Sequence, residues 1–278
     1  MTQGTDYEGA MISAALDLGF AVVVTDYEGL GTPGPHTYMV GQSQGRAVLD
    51  IVRAAQRLPG TGLSTQAPVG IMGYSQGGAG AGWAAQLAPS YAPELQVRGA
   101  AMGGVPSDLT RVANFLEGTP YMGFALMASL GLDAAYPDLD LNSYLNARGR
   151  DLKNQASSVC LVSVDGFATF LQTAFTRFSD YTTTNPLDAP AWQARLGQQL
   201  LGGSAPTVPV YQYHGELDQI IPLDQAETLR NAWCAQGVNL TWKTVPLTEH
   251  LTAMVAGYPE ALTWMGLTLA GAPSTSTC

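Results

Sequence analysis

Short runs of apolar and β-branched residues recur along the chain, and stretches with helical spacing separate them. Continuous apolar runs of this kind are typical of parallel strands that are covered on both faces. The pattern predicts five strands, at Phe20–Thr25, Pro68–Gly73, Val97–Met102, Val208–Tyr213 and Asn239–Val245.

Four helices alternate with these strands. In Gly45–Leu58 the apolar positions recur every three or four residues, as on one face of a helix. The other three are Gln76–Leu87, which is expected to stop at Pro89, Pro222–Gln236, and Leu251–Trp264, which Pro259 is expected to interrupt. The alternation predicts an α/β fold, with an open, mostly parallel sheet in one domain over residues 1–278.

Residues from about 105 to 205 break this alternation. They contain apolar segments with helical spacing, Tyr121–Leu132 and Val159–Phe178, which prolines and glycines separate. We interpret the stretch as a helical insertion that folds over one edge or mouth of the sheet and forms a cap, or lid. A helical subdomain that serves only packing is the alternative.

Composition and charge exclude several classes of protein. The chain has 12 Lys+Arg against 22 Asp+Glu, a net charge of −10 and 46% hydrophobic residues. This apolar content argues against disorder, and the acidic balance argues against nucleic-acid binding. The longest apolar runs are far shorter than the roughly 20 residues needed to cross a bilayer, so we expect no stable membrane insertion. The start of the chain does not have the pattern of a signal peptide.

Three cysteines are spaced too widely for a C-x-x-C zinc site, so no structural metal is expected. An odd number allows one disulfide and one free thiol. We pair Cys234 with Cys278, because a terminal residue gains most from being tied down, and leave Cys160 unpaired.

Gly73-Tyr74-Ser75-Gln76-Gly77 fits the motif G-x-S-x-G, and its context is that of a nucleophile elbow. A predicted strand precedes it, and an Ala- and Gly-rich helix follows. Such a turn holds serine in a strained conformation with its Oγ exposed, and it requires small neighbours. Ser75 is therefore the candidate nucleophile.

Two other motif matches lack this context. Gly41-Gln42-Ser43-Gln44-Gly45 also fits G-x-S-x-G, but no strand precedes it, and Ser43 is interpreted as a helix cap. Gly29–Gly34 fits the dinucleotide fingerprint G-x-G-x-x-G, but prolines disfavour the helix that must follow it. No nicotinamide or flavin cofactor is expected.

The base and the acid are sought on loops after later strands, since triads of this kind run serine, acid, histidine along the chain. His250 follows the last strand and is the candidate base, and Asp218 is the candidate acid. Glu216 and Asp224 are its rivals. His214, at the end of the fourth strand, is interpreted as a structural hydrogen-bonding residue of the acid loop.

The oxyanion of an acyl-transfer intermediate needs preorganised donors. The backbone N–H of Gln76, directly after the nucleophile, is one candidate. The backbone N–H of Asp26, after the first predicted strand, is the other. The alternative for Asp26 is a role in capping a turn.

Taken together, three segments resemble the secretory lipase family, the lipase-A type of α/β-hydrolase. They are Val24-Thr25-Asp26-Tyr27-Glu28-Gly29-Leu30-Gly31, Gly73-Tyr74-Ser75-Gln76-Gly77-Gly78 and His214-Gly215-Glu216-Leu217-Asp218, and His250 completes the match. The resemblance covers essentially the whole chain. It implies an α/β-hydrolase fold with a helical cap, a triad of Ser75, Asp218 and His250, and oxyanion donors at Asp26 and Gln76.

The resemblance also implies an extracellular esterase or lipase, of a kind that acts on triacylglycerols and simple esters. No cofactor is expected. Some relatives accept bulky or polymeric esters. Family members carry a signal sequence and early strands before the Asp-Tyr-Glu-Gly segment, whereas this chain has 25 residues before Asp26. Either the sequence is shortened at this end or the sheet has lost edge strands.

Ester hydrolysis is thus the leading hypothesis, with a lipid or other small ester, or a polyester, as substrate. Acyl transfer or peptide cleavage could use the same triad, and a non-catalytic scaffold that only binds a ligand is the hypothesis from another class. Apolar residues of the insertion could accept an acyl chain, or could equally be core: Tyr121, Met122, Phe124, Met127, Phe167 and Phe170.

Overall fold

The centre of the molecule is a four-stranded parallel sheet in a computed structural model that describes residues 8–32, 34–156 and 163–278. Its strands stand in the spatial order β1-β2-β3-β4. They are β1 (Val69–Tyr74), β2 (Val97–Gly103), β3 (Val210–Gly215) and β4 (Leu240–Val245). Because the strands are parallel, their carboxyl ends lie at the same edge of the sheet.

Helices cover both faces of this sheet and fill the segment between β2 and β3. Within the described residues the α-helices are α1 (Gly9–Asp17), α2 (Gly41–Arg57), α3 (Gln76–Tyr91), α4 (Leu109–Leu116), α5 (Met122–Ala135), α6 (Leu141–Tyr144), α7 (Ala147–Ala156), α8 (Val164–Thr173), α9 (Pro190–Gly197), α10 (Leu223–Ala235) and α11 (His250–Leu269). Short 3-10 turns lie at Pro137–Leu139, Phe178–Asp180 and Pro186–Asp188.

Each face of the sheet has its own core, because successive residues of a strand point to opposite faces. Met102 and Val210 are buried on the face that packs against α2, α3 and α10. Ala101 and Tyr211 belong to the core on the other face, where they share a cluster with Met265 of α11. The sheet therefore holds the starts of α3 and α11 at fixed positions beyond its carboxyl edge.

A third core lies in the helices between β2 and β3. Leu116, Met122 and Trp192 are fully buried there. The same cluster includes Ile220 and Ile221, which follow β3. The helical segment is thus packed directly against a loop at the carboxyl edge of the sheet.

The predicted strand Phe20–Thr25 is wrong. The structure gives it no strand pairing, and Val23 and Val24 are 40% and 55% exposed. Its apolar run fits a buried strand, but composition alone does not provide the hydrogen-bonding neighbour that a strand needs. The other four strands are confirmed, although β3 begins at Val210, after Pro209, which has no N–H for a sheet ladder.

Several helix boundaries also differ from the prediction. Helix α2 begins at Gly41, so Ser43 lies inside its first turn and does not cap it. Helix α3 runs through Pro89, and α11 is continuous through Pro259. The buried face of α11 continues on both sides of Pro259, and this packing offsets the roughly 3 kcal/mol that an interior proline costs. Helix α1 was not predicted.

The C-terminal tail lies along the outer edge of β4. Thr277 donates its backbone N–H to the Leu240 carbonyl at 2.8 Å, and its hydroxyl accepts the Trp242 N–H, also at 2.8 Å. A disulfide joins Cys234 of α10 to Cys278, which confirms the predicted pairing. Cys160, and with it the start of the predicted Val159–Phe178 helix, lies outside the described residues.

Candidate active site

Ser75 occupies the turn between β1 and α3. Its φ of 56° and ψ of −118° are strained for a residue with a side chain. Its N–H donates to the Gly103 carbonyl at 2.9 Å, which ties the turn to β2. A Cβ at Gly73 would collide with the Gly77 carbonyl, so the tight turn requires glycine there. The local sequence thus lifts the Ser75 hydroxyl above the carboxyl edge of the sheet.

His250, the first residue of α11, lies beside this hydroxyl. Its Nε2 is 2.9 Å from Ser75 Oγ, and its Nδ1 is 2.7 Å from Asp218 Oδ2. An ionised carboxylate only accepts, so Nδ1 carries the proton and Nε2 is free to accept one. The structure therefore brings together the three residues that the sequence nominates as nucleophile, base and acid.

Asp218 is held rigidly in the loop after β3. Its Oδ1 accepts the backbone N–H groups of Ile220 and Ile221 at 2.9 and 2.8 Å, which leaves Oδ2 for the imidazole. The two rival acids are engaged elsewhere. Glu216 accepts the Leu247 N–H, and the exposed Asp224 pairs with Arg111.

His214 is fully buried behind Asp218. Its Nε2 donates to the Ile221 carbonyl at 2.9 Å and lies 3.3 Å from Asp218 Oδ2. Burial lowers the pKa of His214, so the ring is neutral at pH 7. Its contacts are those of the structural residue of the acid loop that the sequence suggests.

Tyr74 holds His250 from the nucleophile side, a contact that the sequence did not reveal. Its hydroxyl donates to the His250 carbonyl at 2.6 Å, and the two ring centroids are 5.1 Å apart. Burial raises the pKa of Tyr74, which keeps this donor protonated. Since G-x-S-x-G leaves its second position open, the motif contains no signal for this role.

Glu249 caps α11 immediately before His250. Its carboxylate accepts the N–H groups of Leu251 and Thr252 at 2.9 and 2.7 Å. Burial alone would raise the pKa of Glu249, but these bonds and one from Gln219 lower it to about 2. The sequence carried little signal for this role, because Ser, Thr, Asp and Asn are the preferred N-cap residues and glutamate is not among them.

The loop that contains Asp26 is connected through His36 to Gln76, the residue after Ser75. The Glu28 carbonyl accepts from His36 Nδ1 at 2.8 Å, and His36 Nε2 lies 3.3 Å from Gln76 Nε2. Asp26 itself is exposed in the irregular segment before Glu28. Ser43 donates to the Glu28 carboxylate at 2.6 Å, so its role is to hold this loop.

An apolar cavity opens at Ser75 under the helices that follow β2. Leu109 and Leu116 of α4 line it together with Phe124 and Ala125 of α5. Of the other apolar candidates, Phe170 packs edge-on against Phe124, Met122 is core, and Phe167 is 61% exposed.

Comparisons with known proteins agree with this architecture. The family model described as secretory lipase matches residues 1–277. Lipase A of Moesziomyces aphidis is 34% identical over 91% of this chain. A Mycobacterium tuberculosis protein described as a probable inactive lipase is 32% identical over 98% of this chain.

A solved structure gives the same result. The X-ray structure of Candida antarctica lipase A matches 99% of this chain and 66% of that chain, with a TM-score of 0.88 and 30% identity. This chain spans 55% and 60% of the lengths of the two curated relatives.

Proposed function

This chain belongs to the secretory lipase family, and on that premise we propose that it is a secreted serine hydrolase of carboxylic esters, a lipase or carboxylesterase. The observation that carries the proposal is the continuous hydrogen-bonded line from Ser75 Oγ through the His250 ring to the Asp218 carboxylate. This geometry makes a hydroxyl nucleophilic at neutral pH.

In the proposed mechanism, His250 Nε2 takes the proton of Ser75 as Oγ attacks the ester carbonyl carbon. The Asp218 carboxylate stabilises the imidazolium that forms. His250 then protonates the leaving alkoxide, and the C–O bond breaks to give an acyl-enzyme. Water attacks the acyl carbon while His250 accepts its proton, and collapse of the second intermediate returns the proton to Ser75.

Two backbone donors are proposed to hold the oxyanion. The Gln76 N–H is the first backbone amide of α3, and at this end of the helix unpaired amides and the helix dipole favour negative charge. The Asp26 N–H is the second proposed donor. The chain of contacts from Glu28 through His36 to the Gln76 side chain supports this, because it ties the Asp26 loop to the residue that follows the nucleophile.

We propose that residues from about 105 to 205 form a cap that shapes the acyl-binding site. The cavity beside Ser75 is lined by α4 and α5, which belong to this segment. Its lining is almost wholly apolar, which favours an acyl chain over a charged or peptide substituent. A triacylglycerol, a simple ester or a polyester could present such a chain to Ser75.

An extracellular location fits the family description and the disulfide, since disulfides persist in oxidising compartments. None of the helices in the described ranges is long and apolar enough to cross a membrane.

The test combines labelling with a chain-length series. A fluorophosphonate should label the protein stoichiometrically, and Ser75→Ala should abolish the labelling. Hydrolysis should be measured on p-nitrophenyl esters from two to sixteen carbons and on emulsified glycerides. Failure of a folded sample to label or to hydrolyse any ester would refute the proposal and would leave a binding scaffold. Activity on soluble esters alone would restrict it to a carboxylesterase.

A matched pair of variants locates the acyl chain. Ala128 of α5 lines the cavity, so Ala128→Leu should lower kcat/KM for long-chain esters by about tenfold and leave acetate hydrolysis unchanged. Ala134→Leu makes the same change on α5 at a residue that does not line this cavity. An equal effect of both variants on every ester would contradict the proposed acyl site.

A further inference from the structure

Gln219 connects three elements that meet at the active site. Its Oε1 accepts the backbone N–H of His250 at 3.0 Å. Its Nε2 donates to Glu249 Oε2 at 3.1 Å and to Tyr121 Oη at 3.2 Å. One amide in the acid loop therefore contacts the start of α11 and the residue that precedes α5.

The orientation of this amide is fixed by its partners. The Glu249 carboxylate can only accept, and the His250 N–H can only donate. A rotated amide would place a donor against a donor and an acceptor against an acceptor. The His250 N–H belongs to the first turn of α11 and has no partner within the helix, so Gln219 supplies the bond it needs.

The hydrogen bond between Gln219 and the His250 N–H affects the alignment of the base because of where Gln219 lies in the chain. Gln219 follows Asp218 directly, so one short loop contacts His250 twice, at ring Nδ1 and at the backbone N–H. With both contacts made, the His250 backbone that carries the ring cannot shift relative to Asp218 without breaking one of these bonds. Loss of the backbone bond leaves the ring to be held by its side-chain contacts and by Tyr74.

Tyr121 extends the connection to the proposed cap. It is the N-cap residue of α5, and the first turns of that helix supply Phe124 and Ala125 to the cavity at Ser75. A movement of the start of α5 therefore changes the Tyr121–Gln219 contact, and through Gln219 the backbone of His250.

We propose that Gln219 is a positioning residue that couples the placement of α5 to the alignment of His250. The proposal rests on the proposed ester hydrolysis and names a residue that controls it. Occupation of the cavity by an acyl chain sets the position of α5, and the Tyr121–Gln219–His250 connection transmits that position to the base.

The first test is a double-mutant cycle with Gln219→Leu and Tyr121→Phe. Gln219→Leu should lower kcat on a long-chain ester by about tenfold to 100-fold, with KM changed less than about twofold. Tyr121→Phe should lower kcat by a smaller factor. The double variant should equal Gln219→Leu, because both changes interrupt one connection. The rate of Ser75 labelling by a fluorophosphonate should follow kcat.

Gln236→Leu is the matched control. Gln236 also bridges backbone groups through its amide, at the end of α10, with Nε2 donating to the Gly202 carbonyl at 2.6 Å. It should retain full kcat. Equal effects of Gln219→Leu and Gln236→Leu would overturn the proposal, as would multiplicative effects of Gln219→Leu and Tyr121→Phe.

A charge variant tests the contact between Gln219 and His250 directly, and it remains informative if Gln219→Leu fails to fold. Gln219→Glu keeps the acceptor for His250 but sets a second carboxylate against Glu249, and the negative charge of the ionised pair beside His250 favours the imidazolium. The acidic limb of the kcat/KM profile should shift to higher pH, whereas Gln236→Glu should shift it much less. No shift in Gln219→Glu would overturn the proposal. An inactive wild type would instead refute the ester hydrolysis itself, and this inference with it.

Discussion

Replacing Asp218 by asparagine changes one oxygen to an amide nitrogen, and the surrounding loop dictates where that nitrogen goes. Asp218 Oδ1 accepts two backbone N–H groups, at 2.9 and 2.8 Å. Asparagine can satisfy both only with its carbonyl oxygen. Its NH2 group must then take the place of Oδ2, 2.7 Å from His250 Nδ1.

This placement forces the wrong tautomer on the base. The new NH2 group donates to Nδ1, so the ring proton moves to Nε2, which faces Ser75 Oγ at 2.9 Å. A protonated Nε2 cannot accept the serine proton. The corresponding change in a serine protease triad lowers kcat about 10⁴-fold, or about 5.5 kcal/mol of barrier, and we expect a similar loss here.

The assay compares kcat on a short soluble ester for the wild type, Asp218→Asn and Asp224→Asn. Asp224 is exposed and paired with Arg111, so its variant makes the same chemical change six residues away and should stay within about twofold of the wild type. Circular dichroism confirms folding. A folded Asp218→Asn with kcat within tenfold of the wild type would refute the assignment of Asp218 as the acid.

Three further predictions concern stability, and urea or thermal denaturation checks each of them. Ser75→Gly should be inactive yet more stable by about 1 kcal/mol, because glycine relieves the strained φ of 56°; a loss of stability would contradict the strain. Cys278→Ser should lose about 4 kcal/mol, since the disulfide closes a loop of 44 residues, and an unchanged urea midpoint would show that the bond contributes nothing. The pKa of Glu249 is lowered from 4.5 to about 2, so its carboxylate stabilises the fold fully above pH 4.5 and loses this contribution as the pH falls toward 2. Glu249→Gln should flatten the stability profile in that window, and an identical slope in both proteins would argue against the cap.

The local sequence was sufficient to predict those strands and helices whose own residues specify their conformation. The sequence predicts β1, β2 and β4 to within one residue at each end and β3 to within two, because short apolar runs between turn residues suit a buried parallel sheet. The apolar run Phe20–Thr25 has the same composition but no pairing neighbour in the sheet, and composition does not encode that neighbour. The predicted interruption of the last helix at Pro259 is wrong for a related reason. Tertiary packing of α11 outweighs the local cost of proline.

The residues of the candidate site divide in the same way, into those that the sequence identifies and those that only the structure reveals. Ser75, Asp218 and His250 could be nominated from the sequence because each follows a predicted strand, and parallel topology gathers strand ends at one edge. The residues that orient them could not be found in this way. Gln219 and Tyr74 bind the backbone N–H and the backbone carbonyl of His250. Almost every residue has these two groups, so the residue type at position 250 does not reveal what binds them.

The tail that runs beside β4 has a practical consequence for handling the protein. In a reducing cytoplasm Cys278 is released from α10, and a few hydrogen bonds remain to keep the tail in place. If the tail detaches, backbone amides and carbonyls along the outer edge of β4 lose their partners. An unpaired strand edge of this kind can pair with strands of other molecules. Production in an oxidising compartment, where the disulfide persists, should therefore reduce aggregation.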